Sequence, residues 1–208
     1  MLFYGQRLGT HPTFKTSWPG ATARSVCGVA MPLLLIALGG LAGAQNPSPG
    51  AVINREYTIK AAFLYHFSTY VTWPTSVAPA EGKAFVIGVF QSNPFGTALD
   101  TIAQTKKVAG HPIEIRRLTT LDGLHECHIL FVPSSVPAIQ QDAILRATRE
   151  SFVFVVGEVD GFVERGGQAQ FFLEGNKVRF AVSDVAAKRE DLKVSSKLLA
   201  LATIKPSH

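Results

Sequence analysis

Four short stretches of the chain gather residue types that do chemistry. The first, His125-Glu126-Cys127-His128, packs two imidazoles, a carboxylate and a thiol into four residues, the donor types that zinc accepts. The spacing is wrong for the helical H-E-x-x-H pattern, which sets two histidines one turn apart. On a strand, Cys127 and His128 would point to opposite faces. The stretch is read as loop and strand-edge histidines, and no metal ligand is assigned. The second stretch, Gly157–Gly167, follows an apolar run, as a phosphate-binding loop would. It lacks the Lys and Ser/Thr of such a loop and carries Glu164, so its glycines are read as turn residues.

The third stretch is Ser134-Ser135, between Pro133 and Pro137. It follows an apolar run where a strand would end, the position at which α/β proteins build sites. A serine nucleophile needs a base, and none is identifiable nearby. The fourth is Ser195-Ser196-Lys197, read as a helix start with Ser195 as cap rather than as a Ser/Lys dyad. No catalytic or cofactor-binding residue is assigned.

The stated net charge of +5 and pI of about 9.4 suggest a nucleic-acid partner. Three of the 20 basic residues (Arg7, Lys15, Arg24) lie in the first 44 positions, where no acidic residue occurs. That leaves 17 basic against 15 acidic groups, scattered singly or in pairs such as Lys106-Lys107 and Arg116-Arg117. A nucleic-acid protein concentrates its basic residues on one face, so this class is set aside.

Arg24, the apolar run Val26–Leu41 and Ala42-Gly43-Ala44 supply the basic start, hydrophobic centre and small-residue cut site of a signal peptide. The reading is a signal peptide over residues 1–44, cleaved after Ala44, a flexible linker over 45–53 and one domain over 54–208. The alternative is a retained anchor. Pro32, Gly39 and Gly40 interrupt the run, which falls short of the roughly 20 apolar residues a span needs. Cleavage removes Cys27 and leaves Cys127 as an unpaired thiol at the head of an apolar run, where burial is expected.

These groups must be positioned by regular elements. Asn54 suits an N-cap, and Tyr57–Val71 is apolar around most of a helix, ended by Trp73-Pro74. Phe85–Phe90 reads as a buried strand. Asn93-Pro94 opens a helix to about Thr105, and Ile113–Leu118 is a second strand. A turn near Leu121–His125 leads to a strand at His128–Val132. A helix at Ala138–Arg149 and a strand at Phe152–Val156 follow. Ala169–Glu174 and Lys177–Ser183, linked by Gly175-Asn176, form a hairpin with Val178, Phe180 and Val182 inward and Lys177, Arg179 and Ser183 outward. Asp184 caps a short helix. Ser195 caps a last one, Ser196–Thr203, burying Leu198, Leu199, Leu201 and Ala202. The fold class is α/β: a mostly parallel central sheet with helices on both faces, a C-terminal β-hairpin and short terminal helices.

The stretch Lys60-Ala61-Ala62-Phe63-Leu64-Tyr65-His66-Phe67, with Tyr70-Val71-Thr72-Trp73-Pro74, resembles the opening motif of the YfiR family. Ile87-Gly88-Val89, Gly166-Gly167 ahead of Val178-Arg179-Phe180, and Ser195-Ser196-Lys197-Leu198-Leu199 are similar in kind and order. The resemblance covers about Tyr57–Ile204. It implies a periplasmic α/β protein that restrains an inner-membrane diguanylate cyclase by contacting its periplasmic domain, so that release raises cyclic-di-GMP and promotes biofilm. It also implies a homodimer. Members with more cysteines carry redox-linked disulfides, which Cys127 alone does not reproduce. Where the family often has glycine, Asp191 precedes Leu192, and a left-handed turn there would be held under some strain. Partner-contact residues are not assigned.

Two other readings compete with this one. A small-molecule binder of the envelope would use a cleft between Gln91–Pro94 and Pro133–Pro137. A hydrolase would use Ser134 or Ser135.

Overall fold

A computed structural model describes residues 49–204, with side chains for residues 55–203. The proposed cut after Ala44, and Cys27, lie outside the described residues.

Helix α1 spans Pro49–Tyr70. It begins five residues before the predicted cap at Asn54, so 49–53, read as linker, is helical. Proline suits a helix start because its missing N–H would have no intrahelical partner there. A two-residue strand β1 (Val71–Thr72) follows, and then β2 (Phe85–Phe90), α2 (Ala98–Thr105), β3 (Lys107–Val108) and β4 (His111–Leu118). A 3-10 turn at Leu124–Glu126 leads to β5 (Ile129–Val132), α3 (Ala138–Ala147) and β6 (Phe154–Gly157). The hairpin β7 (Ala169–Glu174) and β8 (Lys177–Val182) precedes α4 (Asp184–Arg189), β9 (Lys193–Val194), α5 (Ser196–Leu199) and β10 (Thr203–Ile204).

The main sheet has eight strands in the order β10-β8-β7-β6-β5-β2-β4-β3. Only β7–β8 and β3–β4 pair antiparallel; the central strands are parallel. The α/β class, the predominantly parallel sheet and the hairpin agree with the sequence expectation. Strand alternation divides the core in two. Phe85, Ile87, Val89, Ile129, Phe131, Phe154 and Val156 face α1 and α2. Val86, Phe90, Leu130, Val132, Val153 and Val155 face the opposite layer, with Ile144 and Leu145 of α3.

The first layer is densely aromatic. Phe67 on α1 stacks on Phe171 at 5.7 Å and meets Phe180 edge-on at 5.1 Å. Truncating so enclosed a ring typically costs about 3–5 kcal/mol. The outward stripe of the same helix, Arg55, Ile59, Ala62, His66 and Thr69, recurs every three to four residues and is exposed.

Four sequence expectations are corrected. Pro94 does not start a helix. Asn93 Oδ1 accepts the Phe95 amide, Asn93 Nδ2 donates to the Gly96 carbonyl, and Gly96 at φ +56° breaks the path, so α2 starts at Ala98. Ser183, placed on the wet face of the hairpin, is buried; it caps α4 by accepting the Ala186 amide, the role given to Asp184. The last helix ends at Leu199. Residues beyond it turn and join the sheet edge as β10 beside β8, which leaves Leu201 at 69% exposure. Ser195, by contrast, caps α5 as expected, accepting the Leu198 amide.

Candidate functional site

The carboxyl ends of β2, β5 and β6 lie side by side and carry Gln91-Ser92, Ser134-Ser135 and Glu158. This is where the topology of an open parallel sheet places sites. The geometry here is a closed polar network. Ser134 donates from its backbone amide (2.7 Å) and its hydroxyl (3.0 Å) to Oε1 of Glu158. Tyr57 on α1 donates its phenol to the same oxygen at 3.1 Å. Lys60, one turn on, reaches Oε2 at 2.6 Å and Glu56 at 2.5 Å. The Lys60 and Glu158 side chains are 5% and 3% exposed. Burial, and then the Glu158 charge, push the Tyr57 hydroxyl well above the ordinary phenol range. It therefore remains a donor.

Ser134 is thus an anchor for Glu158. The carboxylate beside it already receives four hydrogen bonds, three on Oε1 and one on Oε2. Ser135 Oγ lies 2.7 Å from Ser92 Oγ, and Gln91 Nε2 donates to Gln140 Oε1 at 3.0 Å. The Ser92–Ser135 bridge therefore crosses the cleft expected between Gln91–Pro94 and Pro133–Pro137, and Gln91 is tied to Gln140 of α3 beside it.

Lys60 and Glu158 are the residues that sequence reasoning missed. A signal was present for one of them. Residues 57, 60, 61, 64, 67 and 68 share a helix face that buries Ala61, Leu64 and Phe67, so a lysine at 60 requires a buried anion. Its partner lies 98 residues away in a loop and carries no local mark.

The His-Glu-Cys-His stretch is taken apart by the fold. Glu126 pairs with Arg116. Cys127 is buried beneath Gly88, where an added Cβ would stand 2.7 Å from the sulfur; burial pushes the thiol up to about 11. His128 Nδ1 accepts the Val86 amide at 3.0 Å, so the ring proton sits on Nε2, which donates to the Val77 carbonyl at 3.2 Å. Burial lowers its pKa and holds the ring neutral. Its face stacks on Phe85, with ring centres 4.4 Å apart. No group of three or more His, Cys, Asp or Glu side chains placed to hold a metal ion occurs among the described residues.

The glycines of 157–167 also have a packing explanation. The Phe162 ring lies between Gly157 and Gly167, where added Cβ atoms would come within 2.4 and 2.3 Å of it. The two glycines make room for a ring.

Trp73 does not end α1, the role expected from the sequence, because the helix stops at Tyr70 and gives way to β1. Its indole N–H donates to the Phe152 carbonyl at 3.0 Å, and its ring meets Phe85 edge-on. Glu150 and Phe152 lie at φ +57° and +60°, where non-glycine residues are strained. Glu190, buried at 7% exposure, accepts the Ser151 amide at 3.2 Å. Trp73 and Glu190 together hold this turn.

Tyr57, Lys60, Trp73, His128, Ser134 and Glu158 all fall inside the stretch that matches a known family: residues 57–203 match the YfiR/HmsC-like family. The chain belongs to the YfiR/HmsC-like family. Its opening motif thereby acquires physical content, since Lys60 holds the sheet's carboxyl edge and Trp73 holds the 150–152 turn.

No protein of curated function matches the sequence. Among solved structures, a conserved domain protein from Vibrio cholerae O1 biovar El Tor is 13% identical with a TM-score of 0.45, over 58% of this chain and 54% of that one. The ABC domain in complex with L-Trp from Streptococcus pneumonia is 12% identical with a TM-score of 0.44, over 58% and 55%. The chain spans about half the length of each. No helix among the described residues is long and apolar enough to cross a membrane.

Proposed function

We propose that this protein is a periplasmic regulator that binds the periplasmic domain of an inner-membrane signalling protein, a diguanylate cyclase, and holds it inactive. Membership of the YfiR/HmsC-like family is the observation that carries this reading. The carboxyl edge of the sheet is in keeping with it, because Ser134, Glu158, Tyr57 and Lys60 spend their hydrogen bonds on one another. Export by a signal peptide cleaved after Ala44 belongs to the same proposal. N-terminal sequencing of the protein recovered from the periplasm should begin at Gln45.

The deciding experiment is affinity purification of the tagged, exported protein from detergent-solubilised membranes, together with deletion of its gene. Co-purification of a membrane cyclase and a rise in cyclic-di-GMP on deletion are expected. A deletion strain with unchanged cyclic-di-GMP, and a tagged protein that recovers no cyclase, would overturn the reading.

A further inference from the structure

The end of α3, the loop before β7 and the end of α4 enclose a cavity of about 410 Å³, within the usual size range of small-molecule sites. Its lining includes Arg149, Arg165 and Arg189, along with Glu150, Gln168 and Glu190. The formal charges balance once Asp142, which pairs with Arg165, is counted, so what matters is where each carboxylate is directed. Glu190 is turned onto the backbone amides of the 150–152 turn, and Glu150 is exposed. Arg165 is fixed in place, donating to Asp142 at 2.8 Å and to Gln141 at 2.6 Å.

Arg149, just past α3, and Arg189, at the end of α4, differ from the arginines on the sheet. Arg116, Arg117 and Arg179 each hold a carboxylate, whereas Arg149 and Arg189 form no ion pair among the described residues. Gln168, part of the lining, is 4% exposed. Its Oε1 accepts the Val155 amide at 2.8 Å, which leaves its NH2 group as the donor it offers a ligand. Two guanidinium forks without an ion pair and a buried amide donor in one cavity are groups that suit a planar or tetrahedral oxyanion.

We propose that this cavity binds a small organic anion bearing carboxylate or phosphate groups, gripped by Arg149 and Arg189 and seated on Gln168. The proposal rests on this geometry and is independent of the identity of the membrane partner.

Titration calorimetry of the purified protein with citrate and with pyrophosphate tests it, alongside Arg149→Gln, Arg189→Gln and the control Arg146→Gln. Arg146 is also exposed on α3 and does not line the cavity. Binding of at least one probe to the wild-type protein and the control is expected. Each cavity variant should weaken it about 10- to 100-fold, the effect of losing one charged hydrogen-bond partner. Preference for citrate or pyrophosphate then separates a carboxylate from a phosphate ligand. Because both arginines are exposed, the variants should fold, as checked by their melting curves; if one does not, the other decides. Equal weakening in the Arg146 control, or no binding of either probe at millimolar concentration, would overturn the proposal.

Discussion

Lys60 and Glu158 meet at 2.6 Å with both side chains nearly sealed from water, across 98 residues of chain. Removing one member of such a pair strands a buried charge. Lys60→Met should therefore destabilise the fold by about 3–5 kcal/mol, and Glu158→Gln by less, because Lys60 keeps its ion pair with Glu56. The double variant should lose less than the sum of the two. Urea unfolding of the four proteins measures this; additive losses would show that the pair is not coupled.

Cys127 should resist alkylation in the folded protein. Its thiol is buried and pushed up to about 11, so little thiolate exists at neutral pH. The stability conferred by the buried thiol is fully present below the ordinary thiol range and is lost as pH rises through about 11. Iodoacetamide should label the native protein only at the rate of its unfolding, and label it rapidly in denaturant. Fast labelling of the native state would contradict the burial.

The protein should weaken as it is acidified, and His128 should account for part of that loss. Burial lowers its pKa when folded, so its contribution is present above the ordinary imidazole value and disappears as pH falls through the lower, folded one. Protonation also removes the Nδ1 acceptor from the Val86 amide. His128→Asn retains an acceptor and cannot titrate, so denaturant midpoints at neutral and mildly acidic pH should differ less for the variant than for the wild type.

Gly157→Ala and Gly167→Ala should each be strongly destabilising, since the added methyl would meet the Phe162 ring. Overpacking of this kind costs about 1–3 kcal/mol. Combining either change with Phe162→Leu should restore part of the loss. If melting temperatures of the combined variants show no recovery, the ring is not the obstacle.

Asp191 stands at φ +52°, just before the buried Leu192. Glycine relieves left-handed strain, so Asp191→Gly should stabilise the protein by up to about 1 kcal/mol. A fall in melting temperature would mean that the side chain contributes more than its backbone costs.

The strands were readable in the sequence because each is a short, unbroken β-rich run, and Phe85–Phe90 and the Gly175-Asn176 hairpin fall where those runs lie. The left-handed turn at Asp191 could be anticipated from a departure from the family pattern. The end of the chain could not. Leu198 to Ala202 has helical spacing, but the covering surface accommodates only Leu198 fully, and the next residues gain more by pairing with β8. The polar network was hidden because its acid sits in a glycine-rich loop whose glycines serve a different residue, Phe162. Side-chain bonds between distant loops follow from the three-dimensional path and leave no periodic trace.

The small sheet pairs Val71 with Val194 and Thr72 with Lys193, and the core around α1 is completed by Leu192 and Leu198. The first helix therefore has no complete seat until nearly the last residues have arrived. Closing a loop of such length is entropically unfavourable and comes late in folding. Any process that handles the chain from its N-terminus, whether synthesis or threading through a narrow channel, must keep an aromatic helix waiting unsatisfied until the far end arrives to close over it.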